Sequence, residues 1–181
     1  MSHHPLTSPH PSTPQKGHHT VSDSFEKLSF YWLHLTPLEK ILPRFLEKLY
    51  AQGICGVIRT PHTHRVEEIN RLLWTYSPAS FLPHGNATDG FFEDQPFWIT
   101  STEEIPPQAT VLILIDGASA TDLSAFHRAV YFFDAHQPEE VQKASAYGES
   151  LLKQGIPSQV LLQTATGQWE DKGSFQKDFF L

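Results

Sequence analysis

The chain has 181 residues, of which 39% are hydrophobic, with a formal net charge of −7 and a single cysteine, Cys55. This length fits one domain with a substantial core, and the acidic charge argues against direct binding of nucleic-acid phosphates. One cysteine excludes an intrachain disulfide and fits a reducing compartment, and no run reaches the roughly 20 apolar residues that a membrane span needs. We therefore expect a cytoplasmic protein that binds no membrane and little or no nucleic acid by itself.

Residues 1–24 contain repeated His-Pro, Ser-Pro and Thr-Pro steps and almost no large apolar side chain. Such a segment has too little apolar surface to offset the entropy lost on ordering, so we predict a disordered tail. Its histidines are separated by prolines and lack the rigid geometry of a metal site, so we interpret the segment as a polar tail. These histidines are His3, His4, His10, His18 and His19.

The first predicted elements are a strand and a capped helix. Residues 28–34 are mostly aromatic and apolar and follow a polar lead-in, which is typical of a strand. Thr36, Pro37 and Glu39 then match a helix start, with Thr as the cap, Pro at the first helical position and Glu at the capping-box position. Apolar residues follow at helical spacing up to Gly53, which predicts the end of the helix.

The next two elements repeat this order. Residues 54–58 form a short, nearly continuous apolar run, which is typical of a strand buried on both faces. Residues 65–74 place apolar side chains at helical spacing and predict a second helix. The alternation of strand and helix predicts an α/β fold in which helices cover both sides of a parallel sheet.

The second half of the chain continues this pattern without internal repeats. Residues 84–90 are rich in turn formers, residues 121–125 predict a short turn or helix, and residues 167–171 begin a polar C-terminal segment. The other predicted elements are strands at 97–100, 111–115, 129–133 and 160–164 and a helix at 138–154. We therefore predict one domain over residues 25–172, between the N-terminal tail and a second tail at 173–181.

The connection at residues 72–85 has an unusual composition for a loop. Pro78 and Pro83 each push the preceding residue out of the helical region, so the second helix cannot continue through it. Loops normally carry few large apolar groups, yet this one contains Trp74 and Phe81. Either these rings fold back as a plug over the end of the sheet, or they face outward as a docking surface, and composition favours neither alternative.

The second alternative would suit a short peptide with an apolar end and a carboxylate. Arg71 precedes Trp74 by one helical turn and lies on the same side of the helix. A Trp, a Phe and a Pro beside a cation form a suitable receptor for such a peptide. The candidate peptide-binding residues are therefore Arg71, Trp74, Phe81, Pro83 and His84.

No pattern in the sequence assembles a catalytic site. The chain has neither a Gly-x-Gly-x-x-Gly motif nor a phosphate-binding loop that ends in Gly-Lys-Ser/Thr, so we predict no nucleotide cofactor. Asp116 ends a predicted strand, where catalytic acids often lie, but Asp-Gly is also a common exit from a strand. The alternative function is a small hydrolase or metal-dependent enzyme that uses Asp116 with His62, His64 or His84. Their spacing is not diagnostic of a metal site, so we predict no metal and no catalytic residue.

Several motifs together resemble the chi subunit family of bacterial DNA polymerase III. The specific part is Leu73-Trp74 followed by Ser80-Phe81-Leu82-Pro83-His84, and the likeness extends in collinear order over about residues 28–172. The further matching motifs are Phe30-Tyr31, Pro37-Leu38-Glu39-Lys40, Gln95-Pro96, Asp116-Gly117, Phe133-Asp134 and Gln163-Thr164 with Gly167 and Trp169.

This resemblance implies a non-catalytic accessory protein with a three-layer α/β/α Rossmann-like fold and a mostly parallel sheet. Members of the family pair with the psi subunit and so join the clamp loader, and they bind the acidic, Phe-terminated tail of single-stranded-DNA-binding protein. Some members also bind a repair helicase of the iron–sulfur type. The family's tail pocket uses residues that correspond to Trp74, Phe81 and Pro83. The implied function is to link the clamp loader to single-stranded-DNA-binding protein during DNA replication.

The last predicted helix departs from the family pattern. The family pocket also uses an Arg, an aromatic residue and a Lys on that helix, where this chain has Ser145, Gly148 and Glu149. Two cations are lost and one anion is gained opposite an acidic ligand, and each charge-assisted hydrogen bond typically contributes about 1.5–3 kcal/mol. We therefore expect tail binding to be weak, or the chain to be a chi paralogue that has lost it.

Overall fold

A computed structural model describes residues 25–177 and 179–180. The strands are β1 (Lys27–Leu33), β2 (Gly56–Arg59), β3 (His84–Gly85), β4 (Phe97–Thr100), β5 (Val111–Leu114), β6 (Arg128–Asp134), β7 (Ser158–Gln163) and β8 (Trp169–Ser174). The helices are α1 (Leu38–Ala51), α2 (Thr63–Thr75) and α3 (Pro138–Lys153). The predicted N-terminal tail, residues 1–24, lies outside the described residues.

The described strands form one sheet in the order β3-β4-β2-β5-β6-β1-β7-β8. Neighbouring strands run parallel except β7 and β8, which are antiparallel. Connections between parallel strands must cross over the sheet, and α1, α2 and α3 form three such crossovers, from β1 to β2, from β2 to β3 and from β6 to β7. The predicted α/β class with a mostly parallel sheet is confirmed.

Helices cover both faces of this sheet, because successive strand residues point to opposite sides. One face packs against α1 and α2 in an apolar cluster that contains Ile113 and Phe132 from the sheet. The other face packs against α3 in a second cluster that contains Leu112 and Tyr131. The three layers are therefore α1 with α2, the sheet, and α3. No helix in the described part of the chain is long and apolar enough to cross a membrane.

The first helix begins differently from the prediction. Pro37 occupies the cap position with φ −65° and ψ 156°, and it makes no side-chain cap hydrogen bond, so the capping box predicted from Thr36 and Glu39 is wrong. The Thr36 hydroxyl instead accepts a hydrogen bond from Gln163 Nε2 at 3.1 Å, and Glu39 pairs with Arg65 at 3.2 Å. Tertiary partners therefore take both side chains away from the local cap.

The C-terminal segment is more ordered than its polar composition indicated. Residues 169–174 form β8 and cross the predicted boundary between 172 and 173, and Phe175 and Phe180 are buried beside β1 and α3. Phe180 lies 4.9 Å from Phe133 between ring centroids. A short turn or helix was predicted at residues 121–125, and the structure has a turn at residues 124–125, closed by a hydrogen bond from the Phe126 N–H to the Leu123 carbonyl oxygen at 3.0 Å.

Gly148 has a packing role in α3. It is buried, and a Cβ built on it would overlap the ring of Phe175. Glycine in a helix interior costs roughly 1 kcal/mol relative to alanine, so this position gives up helix propensity in order to let the C-terminal segment lie against the helix.

We therefore expect Gly148→Ala to destabilise the protein although alanine favours a helix. Overpacking of this kind costs about 1–3 kcal/mol in the free energy of unfolding, which chemical denaturation measures. The double variant with Phe175→Leu should recover part of the loss because it reduces the overlap. An unchanged or higher free energy of unfolding for Gly148→Ala alone would contradict this packing.

Candidate partner-binding surface

The end of α2 presents Trp74 to solvent. Val66, Ile69 and Leu73 form the buried face of this helix. Trp74 follows Leu73 by one residue, which in a helix turns its side chain about 100° away from that buried face. Its side chain is 56% exposed.

The connection after α2 divides its apolar side chains between core and solvent. Leu82 is 2% exposed and joins the cluster beneath α1 and α2, whereas Phe81 is 72% exposed. The Trp74 and Phe81 ring centroids lie 6.3 Å apart with the rings tilted by 53°. Leu82 is therefore the plug over the core, and Trp74 and Phe81 form an outward pair that we call the aromatic surface.

His84 supports this surface from below. It is buried in β3, its Nδ1 lies 2.7 Å from the Leu82 carbonyl oxygen, and its Nε2 lies 3.2 Å from the Asn70 carbonyl oxygen. The His84 ring centroid lies 4.9 Å from that of Trp74. Both ring nitrogens face backbone carbonyl oxygens, and a neutral imidazole can donate to only one of them. Because the ring is buried, His84 supports Trp74 rather than presenting a polar group to a ligand.

Glu47 of α1 holds the connection in place, and sequence analysis did not identify it. Its Oε1 accepts hydrogen bonds from the Tyr76 hydroxyl and the Ser80 hydroxyl, both at 2.8 Å. Burial raises the pKa of Tyr76, and its hydrogen bond to Glu47 adds to that rise. These contacts fix both ends of the segment between Trp74 and Phe81. No local signal could have revealed them, because the partners are 29 and 33 residues away from Glu47 in the chain.

The two other predicted residues lie next to the aromatic surface. Arg71 is exposed one turn before Trp74, and Pro83 is partly buried between Leu82 and His84. The structure therefore brings the predicted peptide-binding residues to one region, with His84 and Pro83 as its scaffold and Arg71 as a cation beside it.

The α3 residues that correspond to the family's other pocket positions lie elsewhere. α2 and α3 pack on opposite faces of the sheet, so Ser145, Gly148 and Glu149 do not join the aromatic surface. Ser145 and Glu149 line a separate cavity of about 650 Å³ on the outer side of α3, whereas Gly148 is buried under Phe175. The protein thus has two surfaces on opposite layers instead of one joint pocket.

The crevice at the carboxyl ends of the strands holds the residues of the alternative enzyme hypothesis. Asp116 has a left-handed backbone with φ 54°, accepts a hydrogen bond from the Thr60 hydroxyl at 2.9 Å, and pairs with Arg65 Nε at 3.1 Å. His62 and His64 stack on each other with ring centroids 5.5 Å apart. Among residues 25–177 and 179–180, no group of three or more His, Cys, Asp or Glu side chains could hold a metal ion. A cavity of about 570 Å³ joins His62, His64 and Asp116, whereas His84 is buried in the β3 edge strand and lies apart from them. Within this cavity the Asp116 carboxylate is already engaged by Arg65 and Thr60.

Glu140 is a further carboxylate in this crevice. Burial raises its pKa, and the nearby Asp116 and Asp134 carboxylates add to the rise. The backbone N–H of Asp134 donates a hydrogen bond to Glu140 Oε2 at 2.8 Å. This bond lowers the pKa of Glu140, but by less than burial raises it. The ionised form is therefore less favourable in the folded protein than in the unfolded chain.

Comparison with known proteins identifies a match with one family model. The model described as "DNA polymerase III chi subunit, HolC" matches residues 25–158. This range includes the aromatic surface and its Glu47 support, and it ends at the first residue of β7.

A curated relative has a similar description. The chain is 39% identical over 107 residues to a protein of Rickettsia prowazekii (strain Madrid E) named "Probable DNA polymerase III subunit chi". The aligned region covers 58% of this chain and 63% of that relative, so the chain spans less than two thirds of its length.

The Glu47 contacts predict a stability effect that depends on the hydrogen-bond acceptor. Glu47→Ala should lower the free energy of unfolding by about 1–3 kcal/mol, because two hydroxyls lose a charged acceptor. Glu47→Gln should cost less, since its amide oxygen can still accept. Chemical denaturation measures the free energy. The difference in Trp fluorescence from a Trp74→Phe background, which keeps Trp32, Trp98 and Trp169, reports the change around Trp74.

The control for the two Glu47 variants is Arg44→Ala, because Arg44 is an exposed residue of the same helix. Its expected effect on both measurements is small. Equal effects of Glu47→Ala and Arg44→Ala would mean that the Tyr76 and Ser80 contacts do not hold the connection.

The raised pKa of Glu140 predicts that Glu140→Gln stabilises the protein at neutral pH. Protonation of the wild-type carboxyl below its unfolded pKa, about 4.3, removes the cost of ionising it in the fold. The excess Tm of the variant should therefore be positive at pH 7 and shrink towards zero near pH 4. Thermal unfolding across this range measures it, with the exposed Glu139→Gln as the control. A negative or pH-independent difference would contradict the assignment.

Proposed function

The chain belongs to the DNA polymerase III chi subunit family, and from this we propose that it is a non-catalytic accessory subunit of that polymerase in DNA replication. The observation that carries the proposal is the aromatic surface: Trp74 and Phe81 are exposed yet held in place. A subunit that works by contact needs such a surface, and it does not need an assembled catalytic group.

The physical character of the aromatic surface suits a protein partner. Aromatic side chains carry a large share of the binding energy at interfaces because they bury much area with few rotatable bonds. The hydrogen bonds from Tyr76 and Ser80 to Glu47 fix the backbone on both sides of the exposed rings. A partner therefore loses less free energy in ordering this surface than it would with a mobile loop.

The proposed partners are a psi-like subunit of the clamp loader and single-stranded-DNA-binding protein. A linking role requires two partners to bind at once, and the two separate surfaces support such a role. The aromatic surface lies with α1 and α2, and the α3 cavity lies on the opposite layer. Replication in bacteria takes place in the cytoplasm, which is therefore the proposed location.

We propose that contact with the acidic tail of single-stranded-DNA-binding protein is weak. Glu149 lines the α3 cavity and repels a carboxylate, and neither Ser145 nor Ala146 in that cavity supplies a cation. At the aromatic surface Arg71 is available for the carboxylate, but it is exposed, and exposed ion pairs contribute only about 0–1 kcal/mol. If the tail does not bind at all, the protein is a chi paralogue that has lost this function.

We predict that Trp74→Ala and Phe81→Ala each weaken binding of a synthetic peptide with the C-terminal sequence of single-stranded-DNA-binding protein, itself weak, by about thirtyfold, the effect of an interface hot spot. Titration calorimetry measures the Kd. Both side chains are more than half exposed, so the variants should keep their thermal stability. The matched control is Leu152→Ala, a half-exposed apolar side chain on α3. Wild-type affinity in both variants would exclude this surface as the tail-binding site.

The same calorimeter tests the psi-like subunit. The purified psi-like subunit of the same bacterium should bind the wild type and Trp74→Ala with equal affinity, because a linking role needs the two partners on separate surfaces. Tight peptide binding that Trp74→Ala leaves unchanged would overturn the tail assignment, and loss of psi binding in Trp74→Ala would overturn the separation of the two surfaces.

A further inference from the structure

The carboxyl ends of β1 and β6 border a crevice where the chain connections diverge. The two strands are parallel neighbours. The chain leaves β1 through α1, on one face of the sheet, and returns in β2, whereas it leaves β6 through α3, on the other face, and returns in β7. The loops after the two strands therefore separate. In open α/β sheets a crevice at such a point is the usual place for a ligand.

A cavity of about 390 Å³ lies in this crevice. Its size falls in the range of small-molecule sites, about 300–1,000 Å³. The ends of β1 and β6 and the loops after them supply most of its lining, which includes the apolar side chains of Leu33, Leu38 and Phe132. His34 and His136 also line it, and their rings stack with centroids 4.8 Å apart. The cavity therefore combines an apolar wall with polar groups, as a ligand site does.

The charge of this cavity is negative. The carboxylates of Glu39, Asp116, Asp134 and Glu140 line it, together with one permanent cation, Arg65. Arg65 already pairs with Asp116 at 3.1 Å and with Glu39 at 3.2 Å. Within residues 25–177 and 179–180, neither Asp134 nor Glu140 makes an ion pair. A cation is therefore the ligand that complements this cavity.

Glu140 and Asp134 each keep one oxygen for such a ligand. The Asp134 N–H donates a hydrogen bond to Glu140 Oε2, and the His136 N–H donates one to Asp134 Oδ1, both at 2.8 Å. These bonds hold the two carboxylates, and among the described residues the second oxygen of each has no hydrogen-bond partner. Lys143 lowers the pKa of Glu140, but by less than Asp116 and Asp134 each raise it. The ionised pair is therefore incompletely neutralised by the fold.

The Tyr131 hydroxyl is an independent indication of a ligand. Tyr131 is 0% exposed, and its hydroxyl has no hydrogen-bond partner in the part of the chain that the structure describes. Burial raises the pKa of Tyr131, and the carboxylates of Glu140 and Asp116 add to the rise, so the hydroxyl lies near two residues that line the cavity. Buried polar groups in native proteins nearly always have a partner. The Tyr131 oxygen therefore points to a donor from outside the fold.

We propose that this cavity binds a small organic cation, an ammonium or guanidinium group on a short aliphatic chain, through Glu140 and Asp134. The aliphatic chain lies against the apolar wall, and the N–H groups donate to the carboxylate oxygens. A metal ion fits less well, because no group of three or more His, Cys, Asp or Glu among residues 25–177 and 179–180 could hold one. The cavity is separate from the aromatic surface, so this inference does not rest on the proposed function.

The test is a titration of the full chain with butylguanidinium, followed by NMR of the backbone amides. So small a ligand should bind with a Kd of about 1 mM, and the largest shifts should occur at residues 134–140. Butylurea has nearly the same shape without the charge, so it should bind about tenfold more weakly. Equal affinity for the two compounds, or shifts confined to other parts of the chain, would overturn the proposal.

Substitutions separate a role in binding from a role in stability. Glu140→Gln and Asp134→Asn should each weaken butylguanidinium binding by about tenfold. Since Glu140→Gln is also expected to raise the Tm at pH 7, weaker binding with a higher Tm identifies a carboxylate that serves the ligand and not the fold. The control is Glu93→Gln, which removes an exposed carboxylate in the loop between β3 and β4 and should change neither measurement. Wild-type affinity in both cavity variants contradicts the site.

Discussion

Burial of the central strands on both faces is the constraint from which the rest of the structure follows. β2 and β5 consist almost entirely of buried residues, and each lies between two parallel neighbours. Such strands are stable only if helices cover both faces, and parallel neighbours in turn require crossover connections. The two apolar clusters and the three layers result from this one requirement.

The same constraint places the exposed aromatic side chains at the periphery of the sheet. Exposed rings cannot lie on a covered face, so Trp74, Phe81 and Phe91 occur around β3, a strand of two residues at the edge of the sheet. An edge with so short a strand offers little backbone for pairing with another chain. The exposed rings of the aromatic surface at this edge are held in place by contacts within the chain, through Glu47.

The opposite edge of the sheet is formed by β8 and the C-terminal segment that follows it. β8 adds an antiparallel strand whose residues are all exposed, and the segment after it returns to bury Phe175 and Phe180 against the sheet face beside α3. Gly148 makes room for this return. The consequence for function is that α3 is covered on its inner side by the chain's own C-terminal segment, which leaves its outer side, with Ser145 and Glu149, as the available surface.

The sequence by itself determined the fold class, the order and approximate bounds of the strands and helices, and the region of the aromatic surface. These features depend on hydrophobic periodicity, turn residues and short motifs, which are local properties of the chain. Only the tertiary structure decided that Leu82 is the plug while Phe81 faces solvent, that Thr36 bonds to Gln163 instead of capping α1, and that Glu47 fixes the aromatic connection. It also decided that α3 and the aromatic surface lie on opposite layers. The reason is physical: each of these outcomes depends on neighbours that are far apart in the chain and that meet only when the layers pack.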